Sequence, residues 1–145
     1  MTVGGLPQVG PLIAIDWGEK RIGLALCRDD QTLAHPLAVM KRRSGQRFPL
    51  NQLRPYLDEV KPVGILLGLP LTPSGEENQT TESIRKIGRR LTEKTNLPVD
   101  FFDERMTTAR VLNTAKEMKV RPDRSDLTDA LAATVLLQTY LDSRR

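Results

Sequence analysis

Residues 12–27 read LIAIDWGEKRIGLALC, and this stretch decides the fold. An apolar run, Leu12 to Trp17, carries a single acid at Asp16. Gly18, Glu19 and Lys20 are turn residues, and a second run follows from Arg21 to Cys27. Two such runs joined by a short turn predict a β-hairpin. Leu33 to Met40 reads as a third strand, and Pro36 inside it marks an edge, because proline cannot donate to a ladder. Val63 to Leu69 (VGILLGL) is a continuous apolar run, as expected of a strand covered on both faces. Pro98 to Phe102 is a fifth strand. Helical spacing appears over 47–60, with Pro55 implying a kink or a late start, and over 76–95, where Ile84, Ile87 and Leu91 share a side. A further helix opens at Thr107, and a last one is capped by Ser125 or Asp126 and runs to about Asp142. The predicted order is β-β-β-α-β-α-β-α-α. It implies an α/β fold: a mixed five-stranded sheet with three antiparallel strands and then parallel crossovers, flanked by helices, in one domain over 1–145.

Composition narrows the chemistry. The chain has 145 residues and a formal net charge of +4. One cysteine, Cys27, rules out an intramolecular disulfide, and one histidine, His35, rules out a Cys/His zinc cage. Any metal site must therefore use oxygen ligands, chiefly carboxylates. No apolar stretch is long enough to span a bilayer and the first residues do not resemble a signal peptide, so a cytoplasmic protein is expected. Aromatic residues make up 4% of the chain, which argues against an aromatic platform for stacked bases. Cations are clustered. Lys41, Arg42, Arg43, Arg47 and Arg54 lie in a stretch without acids, and Arg85, Lys86, Arg89 and Arg90 lie in a predicted helix. Such clusters are either solvated surface or a rim that contacts phosphates.

The acids sit in telling places. Asp16 ends an apolar strand, where an ionised carboxylate is costly unless paired or metal-bound. At that end it opens into the crevice where α/β sheets bind ligands. Asp103 and Glu104 hold the equivalent place after PVDFF, and alternation sends only one of them into the crevice. In the last helix Asp129, Ala133, Leu136 and Tyr140 form one stripe, apolar apart from its first member. Asp126 lies one turn earlier, where a cap is the simpler reading. Carboxylates from two strand ends and one helix suggest a site for one or two divalent ions, Mg²⁺ or Mn²⁺. Such a site activates water and neutralises a leaving oxygen, which is the chemistry of phosphodiester hydrolysis.

Four segments together, Ile13–Leu26 (IAIDWGEKRIGLAL), Ile65–Leu71 (ILLGLPL), Asp103–Thr108 (DERMTT) and Asp129–Leu141 (DALAATVLLQTYL), resemble the YqgF family, also called RuvX. The resemblance spans almost the whole chain. It implies an RNase H-like fold, similarity to RuvC Holliday-junction resolvases, and metal-dependent nuclease activity. Within the family that activity is assigned either to 5′-end maturation of pre-16S rRNA or to resolution of branched DNA. The family's acidic positions fall on Asp16, Glu104 and Asp129. Two departures stand out. RuvC-type enzymes carry an acid at the end of the fourth strand, where this chain reads Leu69-Pro70, so Glu104 must substitute. Conversely, the pairing of Asp126 with Asp129 is similar to the paired acids of the RuvC last helix, which makes Asp126 a candidate fourth ligand.

The expected partner is nucleic acid, structured RNA or branched DNA, with a homodimer required for symmetric junction cleavage. Candidate phosphate contacts are Lys20, Arg21, Arg42, Arg43, Arg47 and Arg105; a solvated turn for Lys20 and Arg21, or an ion pair for Arg105, is the plainer alternative. Gly18 and Gly23 are read as serving the tight hairpin, Gly68 and Pro70 as crevice wall, and Trp17 as packing under the sheet or stacking a base. Two other classes remain. One is a nucleic-acid-binding module without catalysis. The other is an ATP-using enzyme, since Asp-x-Gly before a basic turn also resembles the phosphate motif of the actin and sugar-kinase fold, although that fold needs two domains.

Overall fold

The computed structural model describes residues 5–18, 20–42, 48–71, 74–104 and 125–144, with side chains of the last helix from Asp129 onward. Five strands form one sheet: β1 (Leu12–Trp17), β2 (Arg21–Cys27), β3 (Ala34–Lys41), β4 (Gly64–Leu69) and β5 (Val99–Asp103). Their spatial order is β3-β2-β1-β4-β5. β1 pairs antiparallel with β2, and β2 antiparallel with β3, whereas β1–β4 and β4–β5 are parallel. This is the mixed sheet expected from the sequence. Pro36 does lie on an edge strand. The β2–β3 register shifts there: Leu24 faces Ala38 while Ala25 faces Pro36, so Leu37 is skipped in a bulge beside the proline.

Alternation along β1 divides the core into two. Ile13 and Ile15 point to one face, where they pack with Leu53 of α1 (Leu50–Val60) and with Ile84, Ile87 and Leu91 of α2 (Gln79–Thr95). Leu12 and Ala14 point to the other face and meet Ala133, Leu136, Leu137 and Tyr140 of α3 (Ser125–Ser143). β4 is buried along its whole length, as a strand covered by helices on both faces must be.

Element ends differ from the sequence reading for local reasons. α2 starts at Gln79 rather than Glu76, because Asn78 caps it. The Asn78 side chain accepts from the backbone of Thr80 (2.9 Å) and Thr81 (3.1 Å), and the Thr81 hydroxyl accepts from the Asn78 amide (2.8 Å). α1 starts at Leu50 and runs through Pro55, so the proline neither delays nor ends it. The helix expected from Thr107 lies outside the described residues. No helix among the described residues is long and apolar enough to cross a membrane.

Candidate active site

The alternation that buries Leu12 and Ala14 under α3 also puts Asp16 on the α3 face, at the end of β1. Its register partner on β2 is Gly23. A Cβ on Gly23 would stand 2.1 Å from the carbonyl oxygen of Asp129 and 2.7 Å from its carbonyl carbon. The backbone of α3 therefore rests on β2 at this glycine, and the missing side chain is what brings the Asp129 turn beside Asp16. This corrects the sequence reading. Gly18 does serve the hairpin, its amide donating to the Arg21 carbonyl at 3.0 Å, but Gly23 serves a tertiary approach.

Glu104 follows β5, two strands and about 10 Å of sheet away from β1. Its side chain leans back across β4. A Cβ on Gly68 would lie 2.5 Å from the Glu104 Oε1 and 3.1 Å from its Cγ, so the glycine leaves the channel through which the carboxyl reaches Asp16. The acid lacking at the end of β4 is thus supplied by the next strand. Leu69, where the sequence lacks that acid, is buried on the opposite face with the α1 and α2 side chains.

Asp16 and Glu104 share a hydrogen bond, and burial raises the pKa of both. For Glu104, desolvation is the largest cause. The charge of Asp16, the hydrogen bond and the charge of Asp103 add to it, and together they push Glu104 up to about 8. At neutral pH Glu104 is the partner that carries the proton and donates it to Asp16. Asp16 is raised by burial and, more weakly, by the charge of Asp129, against the lowering effect of that hydrogen bond. Of Asp103 and Glu104, the second enters the crevice, as alternation requires.

Asp129 stands at the rim. Its carboxylate lies 3.7 Å from the Arg21 guanidinium, and both side chains are 38% exposed, so the pair is loosely held. Among the described residues, no three His, Cys, Asp or Glu side chains close up into a group that could hold a metal ion. The site is a tight carboxyl pair, Asp16 and Glu104, with Asp129 electrostatically coupled to it. Its donor set suits a hard cation: carboxylate oxygens only, half-buried, and held together at the cost of one retained proton that a divalent ion would replace.

The other candidates scatter. Lys20 is exposed at the hairpin turn, and its carbonyl accepts from the Arg42 amide at 2.9 Å. Arg42 lies on the opposite face, its guanidinium 4.3 Å from the Trp17 ring. Trp17 in turn stacks on Phe48 at 5.6 Å and 24°, which fits packing rather than base stacking. Arg43, Arg47 and Arg105 lie outside the described residues. Asp126 falls within α3, and its side chain is likewise outside them. The reading of the sequence missed Gly68 as the cradle of Glu104. A glycine inside a strand otherwise packed with leucine and isoleucine is the signal that something approaches closely.

Known proteins place this arrangement. The chain is 36% identical over 139 residues to a protein of Rickettsia conorii named "Putative pre-16S rRNA nuclease", covering 95% of this chain and 89% of the relative. It is 35% identical over 136 residues to a protein of the same name in Rickettsia felis, covering 93% and 88%. Among solved structures, Thermus thermophilus RuvC superposes with a TM-score of 0.55 at 14% identity, covering 92% of this chain and 96% of that one. The yeast mitochondrial Holliday junction resolvase Ydc2 does so with a TM-score of 0.55 at 13% identity, covering 95% and 80%. These likenesses establish the RNase H-like fold of the sheet and its flanking helices. Residues 10–143 match the family described as "RuvX: Holliday junction resolvase", and with a carboxyl pair at the strand ends of such a sheet and relatives this similar over nearly their whole length, the chain belongs to the RuvX family.

Proposed function

We propose that this chain is a divalent-metal-dependent nuclease that hydrolyses phosphodiester bonds in the 5′-end maturation of pre-16S rRNA, in the cytoplasm, with residues 1–145 forming one nuclease domain. The observation that carries the reading is the reach of Glu104 over Gly68 to Asp16. Two carboxyls forced together in a buried crevice destabilise each other unless a proton or a cation sits between them. Asp16 and Glu104 are the residues that would hold Mg²⁺ or Mn²⁺, with Asp129 completing the catalytic set from α3 and Asp126 as a further ligand. A divalent ion, when bound, lowers the pKa of water and neutralises the leaving oxygen.

The chain's own residues supply the rest. Desolvation around Asp16 and Glu104 strengthens every charge interaction in the crevice. Arg21, already beside Asp129, is placed to take a substrate phosphate oxygen, with Lys20 on the same turn. Arg42, and by sequence Arg43, Arg47 and Arg105, are the further candidate contacts to a nucleic-acid backbone. The relatives' shared name supports rRNA as the substrate.

The experiment is cleavage of an RNA carrying the 5′-extended 16S end, with Mg²⁺ or Mn²⁺, by wild type, Asp16→Asn and Glu104→Gln, together with mapping of 16S 5′ ends in cells depleted of the protein. Cleavage by wild type alone and accumulation of precursor are expected. Undiminished cleavage by either variant removes that residue from the site. A second reading, resolution of branched DNA, is favoured by the family description and the RuvC likeness. It requires a homodimer with two paired sites. Symmetric cleavage of a four-way junction, with normal 16S ends after depletion, would decide for it.

A further inference from the structure

β1 ends in two neighbouring residues that face opposite ways. Asp16 enters the acid crevice, and Trp17 enters a groove of about 560 Å³ on the other face of the sheet. Trp17, Phe48 and Arg42 form one wall of that groove, and Lys86, Arg89 and Arg90 of α2 form the other. The spacing along α2 puts those three on one helix face. All three are exposed, and among the described residues none is engaged in an ion pair. Their helical neighbour Arg85 differs: it is held by Glu77 at 2.5 Å and lies over the Phe101 ring. One carboxylate, Glu93, borders the groove against four cations. Arg42 is fixed in place by its hydrogen bond to the Gly18 carbonyl at 3.1 Å and by the Trp17 ring. The floor is apolar, with Ile87 buried beneath the cations.

We propose that this groove is a second nucleic-acid-binding surface, which holds the phosphate backbone of the substrate on the face of the sheet opposite the acid crevice. A linear polyanion presents charges in series, as the cations are presented here along α2. Because the groove and the crevice meet at consecutive residues of β1, one nucleic acid passing over the end of the sheet can touch both. The assignment rests on the nuclease reading. It adds that Lys86, Arg89 and Arg90 set substrate affinity and its salt dependence while contributing nothing to the bond-breaking step.

The test is fluorescence anisotropy of the full chain with a labelled stem-loop RNA carrying a single-stranded 5′ flank, across a salt series in EDTA so that no cleavage occurs. For Lys86→Gln/Arg89→Gln/Arg90→Gln, affinity is expected to fall at every salt concentration, and the slope of log K against log salt to drop by about 2–3. The control Arg28→Gln/Lys61→Asn, at the far end of the sheet, should keep the wild-type slope. An unchanged slope in the triple variant, or an equal loss in the control, overturns the proposal. So does displacement of the RNA by poly-glutamate at equal charge concentration, which would assign the groove to an acidic protein. Each outcome is independent of cleavage: a wild type that binds RNA through this groove but does not cut it would refute the nuclease reading and leave the groove standing.

Discussion

The two faces of the sheet are built from the same strands but end differently. On the α3 face the apolar layer of Leu12, Ala14, Leu66 and Ala133 gives way to half-buried carboxyls that stay together by sharing a proton and repel one another once both ionise. On the α1 and α2 face the layer of Ile13, Ile15 and Leu67 gives way to Trp17, Phe48 and a rim of cations. The first ending carries a desolvation cost and is held only by a retained proton. The second is a stacked, satisfied arrangement. The contrast matches the two proposed roles: chemistry where carboxyls are crowded together without a ligand, and holding where cations line a groove that is stable alone.

The largest effect expected of any substitution falls on the unfavourable face. Asp16→Asn and Glu104→Gln should each lower cleavage by about 10³-fold or more in Mg²⁺. Because each removes a buried charge or its repulsion, thermal unfolding in EDTA should show no loss of stability. A variant that melts markedly lower would mean that the pair is structural.

The two glycines come next, and they differ in kind. Gly23→Ala drives a Cβ into the α3 backbone at Asp129, which cannot yield cheaply. It should destabilise the fold by about 1–3 kcal/mol and reduce activity. Gly68→Ala meets chiefly the movable Glu104 side chain. It should cost about 10²-fold in kcat through a misplaced carboxyl with little change in Tm. Chemical denaturation and single-turnover kinetics on the two variants give opposite rankings if the account is right.

The pH dependence of the metal-free protein separates the faces again. Glu104 has a folded pKa near 8, above the ordinary carboxyl value of 4.5, so between those limits the folded state binds more protons than the unfolded one. The Glu104 contribution to stability in EDTA is then fullest below about pH 4.5 and declines as pH rises toward 8. Glu104→Gln should flatten that decline. The smallest effect belongs to the half-exposed Arg21–Asp129 pair: Arg21→Gln should change stability by less than about 1 kcal/mol. Its effect should appear instead in substrate affinity.

Much of this was legible in residues 12–27 and 63–69. Strand alternation and the buried apolar run led to the sheet order, and Pro36 led to the edge. The acids at strand ends were visible because an ionised group closing an apolar run needs a reason. What the chain could not announce was contact between distant segments. Gly23 looked like a hairpin residue because its neighbour in sequence is a turn, whereas its neighbour in space is the Asp129 backbone. Leu69-Pro70 signalled a missing acid, but that Gly68 opens the way for Glu104 depends on β5 lying beside β4. The cations of α2 and the Arg42 cluster were both noted, yet only the packing of α2 against β4 and β5 puts them on one groove with Trp17.

The central claim is that Asp16 and Glu104 form a single cation site. Its most direct test is Mn²⁺ binding followed by electron paramagnetic resonance at pH 7.5 in the absence of nucleic acid. Wild type should bind Mn²⁺ with release of a proton, and Asp16→Asn and Glu104→Gln should each weaken binding by about 10-fold or more. Binding of equal strength in all three proteins would contradict the account.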